Sequence, residues 1–329
     1  MMLTEFLQSG WKLISGDVFR HPKNPTLFCA AVGVGTQLLL TVFIVLILAL
    51  TGKVSTTRRG SILACTVINY ALTSVVGGYV STRLYFQMNG KAWARCVIVS
   101  ALLFPLPTTI VFAWANSVAM AHGSISALPI GTILSMLCLY GFISLPSTLL
   151  GGILAKQYGK KDMEAPTRTT KVAREIPTEG PMYSNRFNFM LIAGFLPFTA
   201  IYVELHYTFT SMWGHQLYTM FGVLFCAFVL LVIVTSAITI SLIYFQLSRE
   251  DHRWWWSAFI NGGMIGVFIY AYSFYFYFYH SGMSGFLQTS FYFGYMAIIS
   301  FAIFLMLGST GFHFSLMFVK YIYSRVKCD

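Results

Sequence analysis

Eight long apolar runs, at residues 26–51, 61–81, 96–116, 127–154, 189–212, 217–247, 257–279 and 289–319, occupy most of this 329-residue chain. Each can cross a hydrocarbon core about 30 Å thick, which takes roughly 20 helical residues at 1.5 Å of rise. The runs are continuously apolar rather than alternating, and far longer than the ~10 residues of a membrane barrel strand, so strands are disfavoured. The expected fold class is all-α: a polytopic membrane protein with eight transmembrane helices. A chain that is 57% hydrophobic and 9% charged has too few polar groups to solvate a soluble domain of this size.

Orientation follows from the basic residues. With the N-terminus in the cytosol, the segments on that side hold 18 of the 21 Lys and Arg, and the remaining three, Lys53, Arg58 and Arg59, share one outside loop. The positive-inside bias therefore places both termini in the cytosol. The expected organisation is a cytosolic segment 1–25, four helices over 26–154, a cytosolic loop 155–188, four helices over 189–319 and a cytosolic tail 320–329. Pro166, Pro177 and Pro181 interrupt any helix in the central loop, so it is expected to be irregular and exposed. The net charge of +11 is a property of the cytosolic face and favours anionic lipids as partners; nucleic acid is not expected.

The six cysteines form no CxxC pair and lie in spans or on the reducing side, so neither a disulfide framework nor a cysteine metal site is expected. Cys96 and Cys328 lie close enough to the membrane surface for acylation. No metal and no cofactor is expected.

Ionisable groups inside the spans are few. Glu204 is the one carboxylate within any apolar run, and at 100° per residue Tyr207, Thr208 and Ser211 share its helix face. The stripe is expected to turn inward, as a proton or cargo site or as a structural hydrogen-bonded carboxylate. His313 lies roughly 15 Å nearer the cytosol than Glu204 by residue count and is expected to be a helix-packing histidine. His206 should face away from Glu204. Gly282-Met283-Ser284-Gly285 matches the GxSG of intramembrane serine proteases but has no histidine at its depth, and no HExxH or phosphate loop is present. An enzyme is not expected. Trp254, Trp255 and Trp256 follow Glu250 and Asp251 at a cytosolic hairpin, where indoles are expected to anchor in the headgroup layer and the two acids to pair with Arg83 or Arg174. Paired small residues such as Gly262 and Gly266 are expected to seat neighbouring helices.

Several stretches carry a family resemblance. They are Gly10-Trp11-Lys12-Leu13-Ile14-Ser15-Gly16-Asp17-Val18-Phe19-Arg20; Gly78-Tyr79-Val80-Ser81-Thr82-Arg83-Leu84-Tyr85; Pro166-Thr167-Arg168-Thr169 through Arg174-Glu175-Ile176-Pro177; Tyr244-Phe245-Gln246-Leu247 with Glu250-Asp251-His252-Arg253-Trp254-Trp255-Trp256; and the ending Ser324-Arg325-Val326-Lys327-Cys328-Asp329. Together they resemble the membrane region of the transmembrane 9 superfamily, the nonaspanins or endomembrane protein 70 family, over residues 10–329. Against that family's pattern, a large luminal domain and a first span are missing ahead of these residues, so functions of the luminal part are not expected here. The resemblance implies a Golgi and endosomal protein that sorts and localises other transmembrane proteins, its cargo. It also implies that Lys327 and Asp329 form a tail recognised by a COPI-like vesicle coat complex. The alternative from the residues alone is a proton-coupled transporter or channel using Glu204.

Overall fold

The computed structural model describes residues 10–53, 60–123, 128–159, 166–167, 169–170, 172, 174, 186–213, 221–280 and 285–325, without the side chains of 186–187 and 211–213. Eight helices are long and apolar enough to cross a membrane. They are α1 (Pro25–Leu50), α2 (Ser61–Gln87), α3 (Trp93–Ala121), α4 (Ile130–Tyr158), α5 (Arg186–Trp213), α6 (Phe221–Ser248), α7 (Trp254–Tyr279) and α8 (Phe286–Arg325). No strand occurs among the described residues.

Two helices depart from the regular form. α3 is broken at Phe104 into Trp93–Leu103 and Pro105–Ala121, because Pro105 and Pro107 remove two amides from the helical ladder. α4 carries a π-helical turn at Tyr140–Ser144, just ahead of Pro146, and the Tyr140 hydroxyl donates to the Ala101 carbonyl of α3 at 2.8 Å. Several helices outrun the apolar segments: α2 continues to Gln87 rather than 81, α3 to Ala121 rather than 116, α4 to Tyr158 rather than 154 and α8 to Arg325 rather than 319. Hydropathy marks the hydrocarbon boundary, whereas a helix ends where its backbone bonding does.

The first four helices pack mainly on one another, as do the last four, and α1 against α8 is the principal seam between the groups. Small residues let the backbones meet there. A β-carbon on Gly35 of α1 would collide with the Leu305 carbonyl and Ser309 of α8, and one on Gly33 with Gly77 and Ser81 of α2. Gly78 of α2 abuts Thr148 of α4, and Gly151 of α4 abuts Val75 and Tyr79 of α2. Gly262 and Gly266 of α7 are filled by Leu307, Gly308, Gly311, Ser300 and Phe304 of α8. In lipid this close approach replaces the hydrophobic effect as the source of helix association. Hydroxyls and amides bridge the same seams: Gln37 Nε2 donates to the Tyr70 carbonyl at 3.0 Å, and Thr41 and Thr73 hydroxyls meet at 2.8 Å.

The N-terminal segment differs from the sequence expectation. Residues 10–20, read as a polar segment outside the bundle, are built into it: Ile14 and Val18 are fully buried, with Phe19 and Asp17 nearly so. The polar residues of this stretch are interleaved with apolar ones that fill a gap between α7 and the end of α8.

Candidate functional site

Two regions gather the chemistry-bearing side chains. The first is a strap formed by residues 10–20, the described part of the central loop and the α6–α7 hairpin. Asp17 is its centre. Its carboxylate accepts from Arg20 Nη2 at 2.6 Å, from the Thr170 hydroxyl at 2.7 Å and from the Arg174 amide at 3.2 Å. The Thr170 amide donates to the Gly16 carbonyl at 2.9 Å, and the Thr167 hydroxyl to the Ser15 carbonyl at 2.6 Å. Burial pushes the Asp17 carboxyl up, but the hydrogen bonds from Arg20, Thr170 and the Arg174 amide, with the Arg20 charge, outweigh it and hold the pKa below the usual carboxylate value. The described residues of the central loop between 166 and 174 are non-helical and mostly exposed, and Thr167, Thr170 and Arg174 among them are fastened to the N-terminal segment.

The hairpin acids divide their partners. Arg174 Nη2 lies 2.9 Å from Glu250 Oε2, and Arg253 Nε lies 3.3 Å from Asp251 Oδ1. Glu250 adopts φ 62, a left-handed turn conformation that reverses the chain between α6 and α7.

The tryptophans correct the headgroup-belt reading. Trp254 and Trp255 are 0% and 2% exposed, stacked 4.7 Å apart, and both pack on Phe312 of α8. Trp254 Nε1 donates to the Val18 carbonyl at 2.8 Å and Trp256 Nε1 to the Lys23 carbonyl at 2.7 Å. Phe28 of α1 meets Trp255, Trp256, Phe259 and Phe312 edge-on, with ring centroids 4.9–6.3 Å apart. From the other side, the Tyr323 hydroxyl near the end of α8 donates to the Trp11 carbonyl at 2.7 Å. Trp254 and Trp256 clamp the N-terminal segment because their N–H groups find main-chain carbonyls there, whereas Trp255, whose buried N–H has no hydrogen-bond partner, contributes through packing alone.

The second region lies where α5 meets the C-terminal half of α7. The Glu204 stripe does not turn inward. Tyr207 is 59% exposed, Glu204 and Thr208 are partly buried, and the Thr208 hydroxyl donates to the Glu204 main-chain carbonyl at 2.8 Å. The buried face is instead Ile201, Leu205 and Phe209, because the apolar residues at i, i+4 and i+8 compete better for α7 than the stripe does. The Ser211 side chain lies outside the described residues. His206 faces α7: its Nδ1 is 2.9 Å from the Tyr272 hydroxyl, and its ring is 5.3 Å from that of His280. Tyr272 is ringed by Phe198, Tyr202 and Phe209. His313 has a hydroxyl partner on α1, Thr36, at 3.2 Å.

Among the described residues no group of three or more His, Cys, Asp or Glu could hold a metal ion. The described cysteines are free, and Cys96 is fully buried, so acylation there would need the bundle to open. Lys327, Cys328, Asp329 and the Gly282-Met283-Ser284 part of the GxSG match lie outside the described residues. The sequence reading missed Asp17, Thr170, Tyr272 and His280. For Asp17 a signal existed, since Ile14 and Val18 flank it at a spacing that puts both on one helical face.

The family model described as Endomembrane protein 70 matches residues 3–286. The chain belongs to the transmembrane 9 superfamily. Similar proteins of this superfamily include Transmembrane 9 superfamily member 4 of Arabidopsis thaliana, 48% identical over 98% of this chain and 54% of the relative. Member 3 from the same plant is 47% identical over 98% and 54%, and member 1 of Bos taurus is 42% identical over 98% and 53%. The chain thus spans about half the length of these relatives. No solved structure matches it. The strap and the aromatic clamp therefore belong to the helical portion of a transmembrane 9 superfamily protein, embedded in a membrane by eight spans.

Proposed function

We propose that this chain acts, without catalysis, in sorting and localising other transmembrane proteins in Golgi and endosomal membranes. Membership of the superfamily supports the reading, and one structural observation gives it a mechanism. The helix Ile130–Leu139, the luminal half of α4, buries none of its side chains, and β-carbons at Gly131 and Gly141 would meet nothing. The other small-residue seams are filled by the protein's own helices, so this flank is where a Gly-rich or polar cargo span has backbone to lie against. Coat engagement through Lys327 and Asp329 would then carry the pair into vesicles.

Surface delivery of single-span reporters that differ only in transmembrane glycine content tests the reading, in cells lacking the protein and after its return. Selective loss and rescue of Gly-rich reporters is expected; equal delivery of all reporters would refute it. Lys327→Ala should move the protein out of the Golgi, and unchanged residence would remove the tail from the mechanism.

A second reading, proton-linked transport, draws on the His206, Tyr272 and His280 cluster and on Glu204 of the same helix as His206. It requires a pH-driven flux in reconstituted vesicles that Glu204→Gln abolishes.

A further inference from the structure

The cytosolic ends of α2, α3 and α4 meet at one corner of the bundle, away from the strap. A β-carbon at Gly152 of α4 would lie 2.7 Å from Val97 of α3, 3.2 Å from the Thr82 hydroxyl of α2 and 3.6 Å from the Trp93 ring. One turn further along α4, the Lys156 ammonium sits 5.3 Å from the Trp93 ring centroid. Arg83 follows Thr82 on α2, Lys91 ends the α2–α3 turn, and Arg95 lies in the first turn of α3; these three and Lys156 are exposed.

Among the described residues, no acidic side chain pairs with this corner. The sequence from residue 18 to residue 161 contains no Asp or Glu. Asp17, Glu250 and Asp251 are engaged at the strap with Arg20, Arg174 and Arg253. Among the described residues, Arg83, Lys91, Arg95 and Lys156 make no ion pair. The backbone adds to the imbalance: the first turn of α3 holds no acid, and its cap residue Ala92 offers no side-chain acceptor. A helix start favours anions and is disfavoured beside cations, so Lys91 and Arg95 sit where positive charge is least welcome unless an anion joins them. Thr82 Oγ1, fully buried at the same junction, has no hydrogen-bond partner.

The surroundings select the anion. Immediately toward the membrane, Ile98 of α3 and Leu150 and Ile153 of α4 are exposed at 55%, 55% and 47%, and Trp93 stands between them and the charges. A ligand that satisfies cations at one end and covers aliphatic side chains at the other is a phospholipid, and an indole at that level is the usual marker of the headgroup layer. We propose that the α2–α3–α4 corner binds the headgroup phosphate of an anionic phospholipid, held by Lys91, Arg95 and Lys156 with Arg83 beside them. The proposal rests on this end of the bundle lying at a membrane surface, and is independent of the cargo role.

The full chain, purified in a neutral detergent, is titrated with short-chain phosphatidylserine, short-chain phosphatidylcholine and inorganic phosphate. Thermal unfolding and lipid retention in native mass spectrometry are followed. Phosphatidylserine should be retained and raise the melting temperature, and phosphatidylcholine should do neither. A basic residue near an anionic surface is worth about fivefold in binding, so K91Q/R95Q/K156Q should weaken phosphatidylserine by about tenfold or more. K12Q/K23Q/R325Q, with the same change of charge at other exposed positions, should bind as the parent does. K91R/K156R keeps the charge and should also bind, which separates lost charge from lost fold. Equal weakening in the two neutralised variants would reduce the effect to net charge and overturn the site. Equal retention of both lipids, or stabilisation by inorganic phosphate matching that by phosphatidylserine, would overturn the lipid assignment.

Discussion

The Trp254 indole N–H donates to the Val18 carbonyl across 2.8 Å, in a setting where Trp254 and Val18 are both fully buried. The bond joins residues 236 positions apart and fixes the N-terminal segment to the start of α7. Trp254→Phe keeps an aromatic ring and leaves the Val18 carbonyl unpaired, a loss of about 1–3 kcal/mol. Trp254→Ala also empties the ring's volume and should cost about 3–5 kcal/mol. Thermal unfolding in detergent orders the three proteins; a Phe variant as stable as the parent would show that the bond contributes nothing.

Asp17 sets a pH limit on the strap. Its pKa is held below the unfolded carboxylate value near 4, so its contribution is complete above that value and fades only as pH falls through the lower folded one. Hydrogen exchange over residues 10–20 should therefore be slow and unchanged in mechanism from pH 7 to pH 5, with the strap loosening below about pH 4. Asp17→Asn should loosen it at neutral pH, at a cost of about 2 kcal/mol for hydrogen bonds to a charged group. Fast exchange in the parent at pH 5 would contradict this.

Glycine positions separate internal seams from open flank. Gly35→Ala and Gly151→Ala place a methyl on a neighbouring helix backbone and should each cost about 1–3 kcal/mol through overpacking. Gly131→Ala meets nothing and should be neutral or slightly stabilising through helix propensity. Melting temperatures of the three variants decide it, and a destabilised Gly131→Ala would show that this flank is covered.

The Arg174–Glu250 pair should matter less than its 2.9 Å distance implies. The arginine side chain is 44% exposed and solvent screens it, so a double-mutant cycle with Arg174→Gln and Glu250→Gln should give a coupling below about 1 kcal/mol. A coupling several times larger would make the pair a principal fastening of the loop.

The eight spans were legible because membrane insertion imposes a length and a hydropathy that sequence displays directly. The seating of Gly262 and Gly266 against another helix was legible through the same physics. Residues 10–20 were not, because Lys12, Asp17 and Arg20 look solvated in a linear reading, and only the fold brings Thr170 and Arg174 to Asp17. Trp254 and Trp255 misled for a related reason: an indole near a membrane boundary can serve a lipid interface or a protein interior, and the sequence carries no sign of the Val18 carbonyl waiting for its N–H. Glu204 misled because a helical wheel identifies which residues share a face but not which face its neighbours cover.

At 40 residues, α8 is about 60 Å long, roughly twice the hydrocarbon thickness it must cross. It packs chiefly against α7 and α1, and near its C-terminal end Tyr323 holds the Trp11 carbonyl. A rigid rod of that length works as a lever: a tilt of about 5° about its N-terminal end displaces the C-terminal tip by about 5 Å, far more than a hydrogen bond tolerates. A tilt that begins at the N-terminal end of this helix is therefore largest at its far end, where Tyr323 holds the Trp11 carbonyl.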